Sequence, residues 1–418
     1  MEKKEPLKSF KLLLVALVVL SFLCNLKILW AQRSYIAKGY FDFVIYYTGA
    51  EIVNAGKGSE LYDLNVQQAY QDKFKFPNQP WLVQPFNHAP YELLLFLPLA
   101  RLSYQSAYII WFMLDILLLG VTYRILVPFV NSRNKLLFGA LLFAFYPTMI
   151  AIKMGQDSVL SLVLLSGVFA SLKYRREALA GSILALGLYK PHLILPLAGL
   201  LLANRHWRAA VGFAATGACL VVFSFAMVGW RGVVGLFSIV STMGGPTTIV
   251  YPESMTNLRG LSYVLLSLPE SKELTNIVIG TASVIFYGCC LLLWKNKVKS
   301  DSPVFDLRFS LAIATTILIS YHLYTHDVII LVVALILTFS YVLEGRARTT
   351  IARNGFLLVL ILLYLPLVPY FLEVKGSFAW GVLPIILFYV VLAFEIYSLW
   401  PTGLSMTSAE QTAKATNA

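Results

Sequence analysis

Polar side chains are sparse in this chain of 418 residues, and they come in short blocks. The first is YFDFVIYY, Tyr40 to Tyr47, which sets one acid, Asp42, among aromatic rings. A carboxylate at a bilayer centre costs roughly 2.5–3.5 kcal/mol on insertion scales, and less at the interface. There, beside a reacting hydroxyl, it suits a general base. On a helix over 40–55, Asp42, Tyr46 and Ala50 share a face, so Tyr46 reaches whatever Asp42 reaches, and Tyr47 adds a neighbouring ring. The plain alternative is an aromatic interfacial belt with one solvated acid.

LGLYKPH places Lys190 before a proline at the end of an apolar run. The residue before proline is pushed out of helical geometry, so this ammonium stands at a helix break, where it suits a phosphate as a point charge. A lysine that only snorkels to the interface is the alternative. SYHLYTHD spaces His322 and His326 four apart with Asp327 adjacent. On a helix the two imidazoles share a face. A zinc site needs a third ligand, which is not evident, so phosphate or sugar-hydroxyl binding is the better reading. MGQDS offers Gln156 and Asp157. Asp157 reads as an N-cap with Ser158 in the first turn, whereas Gln156 has no such local role. His88 in FNHAPY, Glu253 and Arg259 complete the set, and Arg259 suits a phosphate clamp. No glycine-rich phosphate loop, dinucleotide fingerprint or nucleophile elbow is present.

These blocks must be positioned by apolar helices. Hydrophobic residues make up 58% of the chain and charged ones 13%, against about 25% charged in soluble domains. Apolar runs recur over 10–30, 104–126, 135–152, 157–173, 178–189, 192–204, 208–229, 276–294, 306–322, 327–343, 355–372 and 378–400, giving an all-α polytopic membrane protein of about 12 spans. The pair 178–189 and 192–204 is short enough to be tilted or re-entrant, and 86–103 reads as a re-entrant or surface helix. The net charge of +12 gathers in short loops at Lys3/Lys4/Lys8/Lys11, Arg133/Lys135, Lys173/Arg175/Arg176, Arg205/Arg208, Lys295/Lys297/Lys299 and Arg346/Arg348/Arg353. Placing all six clusters in the cytoplasm puts both termini inside and every polar block outside. This distribution speaks against nucleic acid as a partner. The N-terminal run reads as an uncleaved first span. Cys24, Cys219, Cys289 and Cys290 all lie in apolar runs without zinc or disulfide spacing, and 401–418 reads as a disordered cytoplasmic tail.

The order FDFVIYYTGAEIV, GKGSELYD, FNHAPYELLLFLPL, GQDSVLSLVLL, AGSILALGLYKPHLILPLAGLLLANRHWR, SYHLYTHD resembles the glycosyltransferase family 87 membrane enzymes of the GT-C fold, along most of residues 10–400. The resemblance implies one GT-C transmembrane domain over 1–400, with extracytoplasmic loops at 31–103 and 230–275, in the plasma membrane. It implies inverting transfer of a sugar, mannose by default, from a polyprenyl-phosphate donor to a glycolipid or glycan acceptor, with membrane lipids as further partners. Asp42 is then the base, Lys190 a donor-phosphate ligand, and His322 or His326 a neighbour of the leaving phosphate. Arg259 joins the phosphate set, while Tyr46, Tyr47, His88, Gln156, Asp157, Glu253 and Asp327 face substrate. No metal or other cofactor is expected. HAP stands where the family often has YPP, which leaves the role of His88 open. A secondary transporter is the alternative, and a non-enzymatic scaffold a third reading; a transporter calls for a midplane site open to both sides, whereas these blocks fall on one side.

Overall fold

The computed structural model describes residues 5–39, 42–74, 83–242, 251–266, 272–295, 298–375 and 377–399. Tyr40 and Phe41 of the first block, and the tail 401–418, lie outside the described residues. Within them the chain is all-helical, 83% helix without strands. Apolar surroundings leave backbone groups no water to bond, and a helix satisfies them within one segment.

Among the described residues, six helices are long and apolar enough to cross a membrane: Phe10–Ala31, Tyr104–Phe129, Trp207–Ser241, Glu273–Trp294, Thr325–Leu343 and Phe378–Ser398. A seventh follows if Lys135–Ala144 and Tyr146–Met154 count as one span bent by 55°. Pro147 in the first turn of the second half accounts for the bend, since it lacks the N–H that would continue the ladder. Among the described residues, length and composition thus support six or seven spans, and the expected count of about 12 is not confirmed. Ser158–Lys173, Glu177–Leu186, Pro191–Ala203 and Thr350–Tyr364 are apolar but shorter. The long helix from Trp207 breaks at Gly229, whose φ is +62°.

Three helices tie two ends of the molecule together. Lys173 Nζ pairs with Asp306 Oδ1 at 2.6 Å, while Ser158 Oγ donates to Asp327 Oδ1 at 2.7 Å. The two ends of Ser158–Lys173 therefore meet the two ends of the hairpin Pro303–Ile319 and Leu331–Leu343. Its 16 residues span about 24 Å, close to a bilayer core. One end carries basic loops, with Ser300 Oγ donating to the Lys173 carbonyl and Arg348 N–H to Glu395. The other end carries Asp157, Asp327 and His326.

Close helix contact sets the loop that bears Lys190. A Cβ on Gly181 would fall 1.8 Å from the Ala209 carbonyl oxygen, and one on Gly212 2.1 Å from that of Ala178. Small residues let Glu177–Leu186 and the helix from Trp207 touch backbone to backbone, the usual adhesive between helices in lipid.

Candidate active site

The site assembles where four breaks in helix meet. Gly155 ends Tyr146–Met154 with φ +64°, and its missing Cβ leaves room for Phe43, 2.8 Å from where that atom would sit. The turn delivers Gln156 and Asp157 together. Lys190 precedes Pro191 at the start of Pro191–Ala203, with φ −117° and ψ 72°. The segment 320–324 is irregular and 325–330 is a 3-10 helix. Asp42 stands just before Phe43–Asn54 and makes no capping bond with its side chain.

Gln156 joins the first block to the second. Its Nε2 donates to Asp42 Oδ2 at 2.7 Å, and its Oε1 accepts from the Tyr46 hydroxyl at 2.7 Å. Tyr46 stacks on Phe96 with centroids 4.9 Å apart and lies 5.8 Å from the His88 ring. Burial, followed by the charge of Asp157, holds its phenol well above the ordinary range, so it stays a donor.

Lys190 is the hub of the second group. Its Nζ lies 2.5 Å from Asp157 Oδ1 and 2.6 Å from Asp327 Oδ1, and it donates to Ser158 Oγ at 2.9 Å. Three partners match the three protons of an ammonium. Burial would lower its pKa, yet the two carboxylates together hold it above the usual lysine value. Burial would likewise raise Asp157, but Lys190, the hydrogen bond with Glu92 and His88 together outweigh it and hold the carboxyl low. His326 Nε2 approaches Asp327 Oδ2 at 3.5 Å. His88 Nδ1 meets Glu92 Oε2 at 2.7 Å and Asp157 Oδ2 at 3.5 Å. Burial, then Asp157, raises Glu92 well above the carboxylate range, and burial pushes His88 down to about 4. Both shifts favour the uncharged forms, an acid beside an imidazole.

His88, Glu92 and Asp157 present donor atoms within 4.8 Å of one another, a grouping that a cation could use. The positive charge already against Asp157 is Lys190, and it matches the acid that would matter most to a metal.

The remaining expected residues separate. His322 and His326 do not share a helical face, because the chain between them is irregular before it enters the 3-10 turn. The His322 ring stands edge-on to Tyr324, 4.9 Å between centroids, and 6.5 Å from His192; burial brings its pKa down to about 4. Asp157 occupies the N-cap position but makes no capping bond, since its carboxylate turns to Lys190. Arg259 lies over the Tyr321 ring at 4.0 Å and donates to the Tyr321 carbonyl. Glu253 sits in the turn Pro252–Ser254 and, like Arg259 and Asp42, is felt electrostatically at Tyr324. Tyr47 turns away, its hydroxyl committed to the Leu102 carbonyl at 2.8 Å and its ring packed on Tyr104.

Three participants escaped the sequence. Glu92 stands four after His88 in FNHAPYE, a spacing that could have been read as a pair. Ser158 looked like a first-turn serine. His192 lies two after Lys190, and its Nε2 is buried without a hydrogen-bond partner among the described residues. It lines a cavity of about 430 Å³ with Pro191, Leu195, Tyr287, Ser320 and Tyr321.

The sequence profile of glycosyltransferase family 87 matches residues 86–320. That stretch includes His88, Gln156, Asp157, Lys190, Glu253 and Arg259; Asp42 and the block 322–327 lie outside it and join the site by geometry. No curated protein and no solved structure matches the chain. The matched stretch is more than half of the chain, several apolar helices mark a membrane protein, and the protein belongs to glycosyltransferase family 87.

Proposed function

We propose that this protein moves a sugar from a polyprenyl-phosphate donor to a hydroxyl of a lipid or glycan acceptor, with inversion, at the extracytoplasmic face, on a GT-C fold. The observation that carries the reading is that Gln156 ties Asp42 to the turn whose Asp157 meets Lys190 and Asp327, which puts one carboxylate outside that ion-paired group yet within electrostatic reach of His326. Asp42 accepts the proton of the acceptor hydroxyl as that oxygen attacks the anomeric carbon. The bond from that carbon to phosphate oxygen breaks, and polyprenyl phosphate leaves as an anion. Such a leaving group needs no acid, only positive charge and hydrogen-bond donors.

His322, His326 and Arg259 are the groups we assign to the donor phosphate. Lys190 acts from behind them: its protons are taken by Asp157, Asp327 and Ser158, so its charge fixes Asp327 and, through it, His326. The cavity between His192, Leu195, Tyr287 and Tyr321 suits the first isoprene units of a lipid that never leaves the bilayer. The basic loops gathered at the opposite end support placing that end in the cytoplasm, with both termini and the tail on that side and the membrane being the plasma membrane. Mannose remains the first sugar to try. The transporter alternative gives way to the family, whose members are glycosyltransferases.

The test is transfer by purified protein in lipid, offered polyprenyl-phosphate mannose, arabinose and glucose in turn with a membrane lipid extract. Release of polyprenyl phosphate with label in a new product, its anomeric configuration opposite to the donor's by NMR, supports the reading. Failure with every donor, or retention of configuration, refutes it.

A further inference from the structure

Gln156 has both ends of its amide engaged inside the protein. The Oε1 end accepts from Tyr46 and the Nε2 end donates to Asp42 Oδ2, each at 2.7 Å. Gln156 is buried, as is Tyr46. An ionised Asp42 only accepts, so the nitrogen must face it and the oxygen must face Tyr46. The phenol is wedged between Phe96 and the His88 ring, so the chain of bonds starts from a fixed side chain. Gln156 itself follows Gly155, whose left-handed turn fixes its backbone. Nothing of this arrangement is set by helix periodicity: 110 residues separate Tyr46 from Gln156.

We propose that Gln156 is a positioning residue for the catalytic base rather than a substrate ligand: Tyr46 fixes the amide, and the amide holds Oδ2 of Asp42 so that Oδ1 faces the acceptor hydroxyl. The inference rests on Asp42 being the base. An unheld carboxylate rotates about its last torsion, a broad and roughly two-fold one, and spends part of its time off the line of attack. Misplacement of that order is costly in a reaction that needs oxygens aligned within a fraction of an ångström. The titratable neighbours that feel Asp42 are Tyr46, Tyr104, Tyr324 and His326, and any change of pH profile has to be read against them.

Four variants test it in the transfer assay: Gln156→Ala, Gln156→Glu, Tyr46→Phe and the double variant Tyr46→Phe/Gln156→Ala. Loss of the amide should lower kcat about tenfold or more while the acceptor KM stays within about twofold. Tyr46→Phe should lower kcat in the native background and have no further effect once Gln156 is Ala, because it acts through that amide. Gln156→Glu carries the sharpest readout. While neutral, its carboxyl donates to Asp42 and accepts from Tyr46 as the amide does; once ionised, it sets a second negative charge against the base. Its kcat relative to wild type should therefore be near one at low pH and fall as pH rises. Melting temperatures monitor folding, and should Gln156→Ala fail to fold, Gln156→Glu and Tyr46→Phe decide alone. Unchanged kcat with a raised acceptor KM would make Gln156 a substrate ligand and overturn the inference. Additive effects of the two removals, or a pH-independent Gln156→Glu ratio, would overturn it as well. Asp42→Asn run alongside separates the two levels: if it keeps full transfer, the base assignment itself fails; if it is dead while the Gln156 variants are unaffected, the base stands and the positioning role falls.

Discussion

Lys190 and Asp327 stand 137 positions apart in the chain and 2.6 Å apart in the fold. That pair, with Asp157 on the other side of the ammonium, pins the start of Pro191–Ala203 to the turn that carries His326. Taking one partner out of a buried ion pair leaves an uncompensated charge and costs about 3–5 kcal/mol.

Lys190→Met should therefore destabilise the protein as well as silence it. Thermal melting in detergent is expected to show a clear drop, with Lys190→Arg recovering part of it. A Lys190→Met protein that melts like wild type but binds donor weakly would instead mark a lysine that meets phosphate directly.

Tyr47→Phe should leave transfer nearly untouched. The phenol bonds the Leu102 carbonyl, a contact of about 1 kcal/mol, and the ring packing on Tyr104 survives the change. Steady-state kinetics and a melting curve check it; a loss of acceptor affinity would return Tyr47 to the substrate side.

Gly155→Ala should damage both fold and rate. The residue has φ +64°, which costs an L side chain roughly 1–2 kcal/mol, and the new methyl would meet Phe43 Cβ at 2.8 Å. A lowered melting temperature together with reduced kcat is expected, since Gln156 and Asp157 move with the turn.

Acid should loosen the site through its histidines. His88 and His322 have pKa values of about 4 in the fold, held there by burial, against about 6.5 in the unfolded chain. The unfolded chain then binds more protons between those values, so stability rises with pH across that window and falls as pH drops from about 6.5 to 4. Glu92 works oppositely: its raised pKa makes the folded state bind more protons above about 4.3, so its carboxyl costs stability as pH rises. Melting against pH, for wild type, His88→Asn and Glu92→Gln, separates them. His88→Asn should flatten the acid side, and Glu92→Gln should raise the melting temperature on the neutral side.

Much of the helical framework could be read from the apolar runs, because lipid forces helix wherever side chains are greasy. The polar blocks themselves were visible in the same way, whereas the start of the loop expected over 230–275 is helical as far as Thr242. Which side chains meet was not visible. Lys190 looked like a phosphate ligand because its partners lie 33 positions back, at Asp157, and 137 positions on, at Asp327; periodicity reports only neighbours three or four apart on one helix. The same limit hid Ser158, whose partner Asp327 lies 169 positions on, whereas Glu92 stands four after His88 and could have been read as its pair. His322 and His326 were assigned a common helical face that the irregular segment 320–324 does not provide. The expected count of about 12 spans is not confirmed among the described residues, because a short apolar helix and a full span carry the same composition.

The most direct measurement of the central claim is sugar transfer by purified wild type and Asp42→Asn side by side in lipid vesicles, with binding of the polyprenyl-phosphate sugar followed in the same samples. Asn keeps the size of the side chain and loses the basic oxygen. Donor binding within about twofold of wild type, with turnover down by at least about a hundredfold, is the predicted result. Near-normal turnover in the Asn variant would contradict the account and move the base elsewhere on that face.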